Sequence, residues 1–233
     1  MSFGVEYDFL EGEVLLFDKP AGWTSFDLVK KVRNVISRYM GVKKVKVGHA
    51  GTLDPMATGL MILCTGKATR KIEQFQGMDK TYVAELLFGK TTPSFDLETE
   101  VEQEFPYEHI TRSRLEEVLE QFTGEIEQLP PAYSAKRVKG RRAYDLARKG
   151  EEVELKPQRV TIHAMEILDF ALPKCTLKVT CSKGTYIRSL ARDIGKALES
   201  GAVLSALRRT EIGPYNVRNA VTVSDFEKSL QAM

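Results

Sequence analysis

The stretch GHAGTLDPMATGL, Gly48 to Leu60, holds one carboxylate, Asp54. From Leu28 to Ile72 the chain carries ten Lys or Arg, and Asp54 is the only Asp or Glu among them. A solitary carboxylate in so basic a span suits a nucleophile or a general base. With a reference pKa of about 3.9 it is ionised at neutral pH, and an adjacent guanidinium would keep it ionised after desolvation. Pro55 restrains the backbone of the preceding residue toward extended geometry, so the acid is expected on a rigid loop. The plainer reading is an Asp-Pro turn whose carboxylate bonds its own backbone. Local sequence leaves both open.

The candidate cationic partner is Arg188 in CSKGTYIRSLARDIG. Backbone N–H groups near Gly184 and Thr185 would face outward at the start of a helix, an anion-binding end. Tyr186 and Arg188, two positions apart, could reach into one cleft; alternatively Tyr186 packs in the core and Arg188 is a surface cation. Tyr82 lies in an alternating strand, where it is either a half-buried packing residue or a ring on which a base stacks. His49 is either a hydrogen-bonded histidine or a contact to RNA. None of the three histidines, His49, His109 and His163, has metal-ligand spacing, so no metal is expected.

These residues need elements to hold them. EVLLFDKP reads as a strand ending at Pro20. A helix follows in AGWTSFDLVKKVRNVISRYMG, capped by Thr24 with Asp27 three residues on, with Val29, Val32, Ile36 and Tyr39 on one face and Gly41 closing it. KVKVGH is a short strand, GLMILC a strand buried on both faces, and AGTLDPMAT the tight loop between them. In KTYVAELLFG, Tyr82, Ala84, Leu86 and Phe88 share one face. A helix is expected over Arg112 to Phe122, with Leu115, Val118, Leu119 and Phe122 inward. CTLKVTCS alternates again, with Cys175, Leu177, Val179 and Cys181 on one face, and leads into a helix from about Tyr186 to Leu198. Strands and helices mix irregularly, which predicts an α/β mixed or α+β class rather than a doubly wound sheet. No GxGxxG or GxxxxGK[ST] motif is present to bind a nucleotide cofactor.

Composition narrows the class. The 233 residues are 42% hydrophobic and 28% charged, as in ordinary soluble domains. The longest apolar run, Leu60 to Cys64, is five residues, far short of a membrane span, and the first residues show no signal-peptide pattern. Three cysteines in no CxxC pair point to a reducing cytosol. The net charge of +2 conceals segregation: Ser94 to Glu127 has eleven acids against two arginines, and Tyr133 to Lys149 has seven Lys or Arg against Asp145. Such runs are often solvated faces. Two basic runs, the later one with Tyr133 and Tyr144, instead fit a polyanion that stacks as well as pairs, namely nucleic acid.

Five blocks, FDKPAGWTS, GHAGTLDPMATGLMILCTGKATR, DKTYVAELLFGKTT, LPPAYSAKRVKGRRAYDLARKG and CSKGTYIRSLARDIG, together resemble the TruB-type tRNA pseudouridine-55 synthases. The resemblance runs from about Glu13 to about Tyr215. It implies the pseudouridine synthase fold, an α+β domain with a mixed, largely antiparallel central sheet flanked by helices. It implies a single catalytic domain over 1–233, with 124–152 as an inserted thumb that grips RNA; the sequence departs from the family in stopping soon after TVSDFEKSL, where many members continue, so no separate C-terminal RNA-binding domain is expected. The implied activity is isomerisation of one T-loop uridine of transfer RNA to pseudouridine, after flipping of the base, without metal or cofactor, by a cytoplasmic monomer. By the same resemblance Asp54 is the nucleophile, Tyr82 stacks on the uracil and Arg188 pairs with the aspartate. Tyr186 and Leu207 line the substrate site, His49 fills the space left by the base, and Lys19 with Pro20 forms an amino-terminal motif of structural role. Lys136, Arg137, Lys139, Arg141 and Arg142 are the RNA-gripping cations. The segment GKTTPSFDLETE departs from the commoner pattern, which leaves Asp96 without an assigned role.

Overall fold

A computed structural model describes residues 7–134, 136–138, 140–151 and 153–232. In chain order the elements are β1 (Val14–Lys19), α1 (Ser25–Tyr39), β2 (Val47–His49), β3 (Thr58–Thr65), α2 (Ile72–Gly77), β4 (Lys80–Phe88), β5 (Lys90–Thr91), β6 (Gln103–Glu104), α3 (Arg112–Gln121) and β7 (Gly124–Gln128). There follow β8 (Arg137–Val138), β9 (Arg141–Arg142), α4 (Ala143–Ala147), β10 (Gln158–Ala171), β11 (Lys174–Cys181), α5 (Ile187–Ala197), β12 (Ala202–Ile212), β13 (Tyr215–Asn216) and α6 (Val223–Gln231). The class is mixed α+β with largely antiparallel pairing, as expected. No helix among the described residues is long and apolar enough to cross a membrane.

The chain forms two compact units. The first takes the residues up to Thr81 and returns at Arg208; the second is Tyr82–Leu207.

In the first unit β3 is the central strand. Seven of its eight residues are buried, because β1 pairs with it antiparallel on one edge, from Val14↔Cys64 to Lys19↔Gly59, and β12 pairs with it in parallel on the other, at Arg208↔Thr58 and Arg209↔Gly59. A strand flanked and covered in this way must be apolar throughout. The short strand β2 adds antiparallel at the end of β3, His49 facing Leu63. Leu60, Ile62, Cys64, Ala50, Phe75 and Ile212 pack into one cluster. Helix α1 starts as its sequence dictates: Thr24 accepts from the Asp27 N–H while Asp27 accepts from the Thr24 N–H, so two otherwise unpaired donors are satisfied. Its face of Leu28, Val29, Val32 and Ile36 is buried. Tyr39, expected on that face, is 44% exposed; it sits in the last turn, its ring edge-to-face with Phe9.

In the second unit the order is β12-β4-β11-β10-β7. The alternation read in the sequence holds, with Tyr82, Ala84, Leu86 and Phe88 of β4 and Cys175, Leu177, Val179 and Cys181 of β11 all buried. Helix α3 buries Leu115, Val118 and Leu119 and packs on α5, whose Leu190, Ala191 and Ile194 are buried.

Candidate active site

The loop between β2 and β3 is fastened along its whole length. Gly51, at φ 115°, turns the chain out of β2, in a region of φ/ψ space that glycine enters at little cost. The Ser25 hydroxyl, 4% exposed, donates to Leu53 O at 3.0 Å and accepts from Leu53 N at 2.8 Å. Asp54 follows, half-buried, its carbonyl accepting from Ala57 N–H at 3.1 Å. The carbonyl of Pro55 accepts from Gly22 N–H at 2.8 Å and from Lys19 Nζ at 3.3 Å.

Two buried cations serve this loop. Lys19, with no exposed surface, also donates to Pro20 O at 2.9 Å and to Trp23 O at 2.6 Å. Arg209, 1% exposed, donates to Leu60 O at 2.8 Å, to Thr52 O at 3.4 Å and to Gly51 O at 3.3 Å. Burial pushes the Lys19 ammonium down to about 8; the charge of Asp54 opposes that shift and the charge of Arg209 adds to it. His49 is held below its ordinary pKa, first by burial, with the Gly51 backbone acting the other way, so a neutral imidazole stands at the end of β2. Its Nδ1 is buried and without a hydrogen-bond partner among the described residues.

The second unit contributes a different arrangement. Arg188, in the first turn of α5 and 4% exposed, donates from Nη1 to Ser94 O at 3.0 Å and from Nη2 to Tyr133 O at 2.8 Å. Its Nη1 lies 3.5 Å from Asp96 Oδ2, and the Asp96 side chain is 1% exposed. The other Asp96 oxygen accepts from Ser94 Oγ at 2.5 Å and from Glu98 N at 2.9 Å. One helical turn beyond Arg188, the Arg192 guanidinium stands 4.6 Å from the centre of the Phe95 ring. Two arginines of α5 thus grip one tight turn, residues 94–96, in which Phe95 adopts φ 63°. Tyr186 is the N-cap residue of α5. The N–H of Tyr186 is taken by Gln128 Oε1 at 2.8 Å, and its carbonyl accepts from Gln128 Nε2 at 3.1 Å. The expectation of outward N–H groups at this helix start is corrected to that extent: a fully buried glutamine occupies one of them. Tyr82 is 8% exposed at the start of β4, and Leu207 is 8% exposed in β12.

The family model that describes the TruB family pseudouridylate synthase N-terminal domain matches residues 37–187, and that of the tRNA pseudouridylate synthase B C-terminal domain matches 188–233. The chain belongs to the TruB family. Members similar to it include proteins named tRNA pseudouridine synthase B from Phocaeicola vulgatus, 58% identical over 96% of this chain and 95% of that one, and from Flavobacterium johnsoniae, 52% identical over 96% and 98%. A longer member, from Chlorobium luteolum, is 47% identical over 92% of this chain and 74% of its own. Among solved structures, a Cbf5-Nop10-Gar1 complex contains a chain that superposes with a TM-score of 0.71 at 28% identity, covering 94% of this chain and 54% of that one. An H/ACA RNP bound to a substrate RNA containing 2′-deoxyuridine gives 0.66 at 27% identity, covering 94% and 53%. This chain therefore spans about half the length of those two solved chains.

Within this TruB-family fold the residues singled out in the sequence separate by unit. Lys19, His49 and Asp54 converge on one loop of the first. Arg188 and Tyr186 lie in the first turn of α5 in the second, and the thumb cations follow the same unit. Lys136 donates to Gln158 Oε1 at 3.2 Å, and Gln158 Nε2 donates to Gly184 O at 2.7 Å, which ties the thumb to the turn before α5. Arg141 forms two parallel bonds with Glu151, at 3.0 and 2.9 Å. Lys139 and the side chains of Arg137 and Arg142 lie outside the described residues. Sequence reasoning passed over Ser25, Gln128 and Arg209, and left Asp96 unassigned. Arg209 had a readable signal: it is an arginine in phase with Leu207, where strand alternation calls for an inward side chain. Ser25 and Gln128 had none, because their partners are backbone groups remote in sequence.

Proposed function

We propose that this chain is a tRNA pseudouridine synthase that converts uridine 55 of the T-loop to pseudouridine, with Asp54 as the catalytic carboxylate. The TruB-family match over nearly the whole chain, and the name carried by its relatives, support the activity. The observation that carries the choice of Asp54 is its loop, immobilised by Ser25, Lys19 and Arg209 with Asp54 itself half-buried.

The reaction is an isomerisation. The N1–C1′ bond of the uridine breaks, a C5–C1′ bond forms, the C5 proton leaves and N1 gains one. Atoms and electrons balance within the nucleotide, so the steps need a positioned carboxylate and a proton relay, and no redox partner. The target base lies within a folded loop and has to be turned out, at a cost of about a few kcal/mol. Stacking of the uracil on the Tyr82 ring offsets that cost by about 1–3 kcal/mol. A neutral His49 takes the volume that the base leaves without placing a second charge near Asp54. Arg188 supplies fixed positive charge, Tyr186 and Leu207 line the site, and the cations within 124–152 hold the phosphates of the T-arm. A rigid loop matters here because a misplacement of about 1 Å costs about 100-fold in rate.

The test is incubation with unmodified transfer RNA followed by mapping of pseudouridine, for the native chain and for Asp54→Asn. The native chain should modify position 55. Asp54→Asn should bind the RNA and yield no product; turnover by that variant would overturn the assignment.

A further inference from the structure

Arg209 belongs to no motif discussed so far, yet it is among the most thoroughly buried large side chains of the molecule. Its backbone is parallel to β3 at Gly59, and the approach is so close that a Cβ on Gly59 would meet Arg209 O at 2.2 Å and N at 2.8 Å. From that seat the guanidinium runs under the loop and bonds Gly51 and Thr52 ahead of Asp54 and Leu60 behind it. The start of the loop and the strand that leaves it are therefore fastened by one planar group with diverging donors, a geometry that an ammonium cannot reproduce. Lys19 fastens the middle, at Pro55, from the opposite neighbour of β3. Both cations are desolvated, and both direct their hydrogen bonds to main-chain carbonyls. Asp54 is an acid whose charge acts on Lys19.

We infer that Arg209 is a positioning residue of the reaction: its guanidinium, bonding the backbone on both sides of Asp54 beside Lys19, fixes the carboxylate of Asp54 in place without touching the substrate. This rests on the proposed activity, since it presumes that Asp54 acts on the uridine.

A positioning role separates rate from binding. Arg209→Met keeps most of the volume and removes every donor; Arg209→Lys keeps the charge and part of the bonding. Single-turnover rate and transfer-RNA affinity are measured for both, with thermal melting to establish folding, and Arg208→Met serves as the neighbouring control. Arg208 is half-exposed and bonds Asp18 of β1, across β3, at 2.7 Å. The expected result is a rate reduced about 100-fold or more in Arg209→Met, the scale of an angstrom-sized misplacement, with partial recovery in Arg209→Lys, unchanged affinity in both, and native rate in Arg208→Met. Should Arg209→Met fail to fold, Arg209→Lys decides alone: it must turn over at least several-fold more slowly at native affinity. A native rate in a folded Arg209 variant, or a loss confined to affinity, overturns the inference. If Asp54→Asn is inactive and Arg209→Met is not impaired, only the clamp fails; if Asp54→Asn is active, the functional reading has failed first.

Discussion

Arg188 Nη1 and Asp96 Oδ2 stand 3.5 Å apart in the second unit, with side chains only 4% and 1% exposed. A buried pair of this kind contributes little against an apolar substitute, but removing one member of it is strongly destabilising. Asp96→Ala should therefore destabilise the protein by about 3–5 kcal/mol in urea titration, because it also deprives Ser94 Oγ and Glu98 N–H of their acceptor. The double variant Asp96→Leu, Arg188→Met should lose clearly less than the sum of the two single losses. Strict additivity would show that the pair is not coupled.

Lys19 gives a pH signature. Its ammonium titrates near 8 in the folded chain and near 10.4 in an unfolded one. Between those values the unfolded chain holds the extra proton, so the Lys19 contribution to stability rises with pH over that window. Unfolding free energies of the native chain, compared with Lys19→Met at pH 7.5 and pH 10, should show the native chain gaining relative to the variant as pH increases. A parallel course for the two would place the Lys19 pKa at its ordinary value.

Ser25 is the least conspicuous of the residues that hold the loop of Asp54. Ser25→Ala leaves Leu53 N–H and C=O without their buried partner, which should cost about 1–3 kcal/mol. Because Leu53 precedes Asp54, the rate should fall while transfer-RNA affinity stays native. Stopped single-turnover assays alongside filter binding would separate the two.

Arg141 is paired with Glu151 on the surface. An exposed pair is readily exchanged for a phosphate, so the ion pair does not disqualify Arg141 from RNA binding. Arg141→Gln should weaken affinity for transfer RNA about equally for all sequences. The log–log salt dependence of binding should become shallower by about 0.7–0.9. An unchanged slope would remove Arg141 from the RNA interface.

The parts of this molecule that were legible in the sequence are those whose causes are local. The capping box at Thr24 and Asp27, the unbroken apolar run of β3 and the alternation of β4 and β11 each reflect neighbours within a few residues. Strand β10 was not legible. Its pairing with β11 shifts register between Ile162 and Ala164 and again between Ile167 and Asp169, and each irregularity resets the two-residue period that marks a strand. The site divides in the same way. Asp54 stood out through charge contrast with its own segment. The partner of Arg188 within its unit did not, since Asp96 lies in an acid-rich stretch that reads as a solvated face and is nevertheless buried. Tyr39 shows the converse: helical spacing placed it inward, but α1 ends at this residue, and it stays 44% exposed while Ile36 one turn earlier is fully buried.

The first unit is interrupted in the chain by the whole of the second, resuming only at Arg208. On the ribosome, the loop is made together with Lys19 and Ser25, and the Arg209 part of its fastening follows some 150 residues later. A polypeptide cut short before β12 would thus carry Asp54 without the guanidinium that bonds the backbone on either side of it, a group on a strand that has to slot in beside one made some 150 residues before.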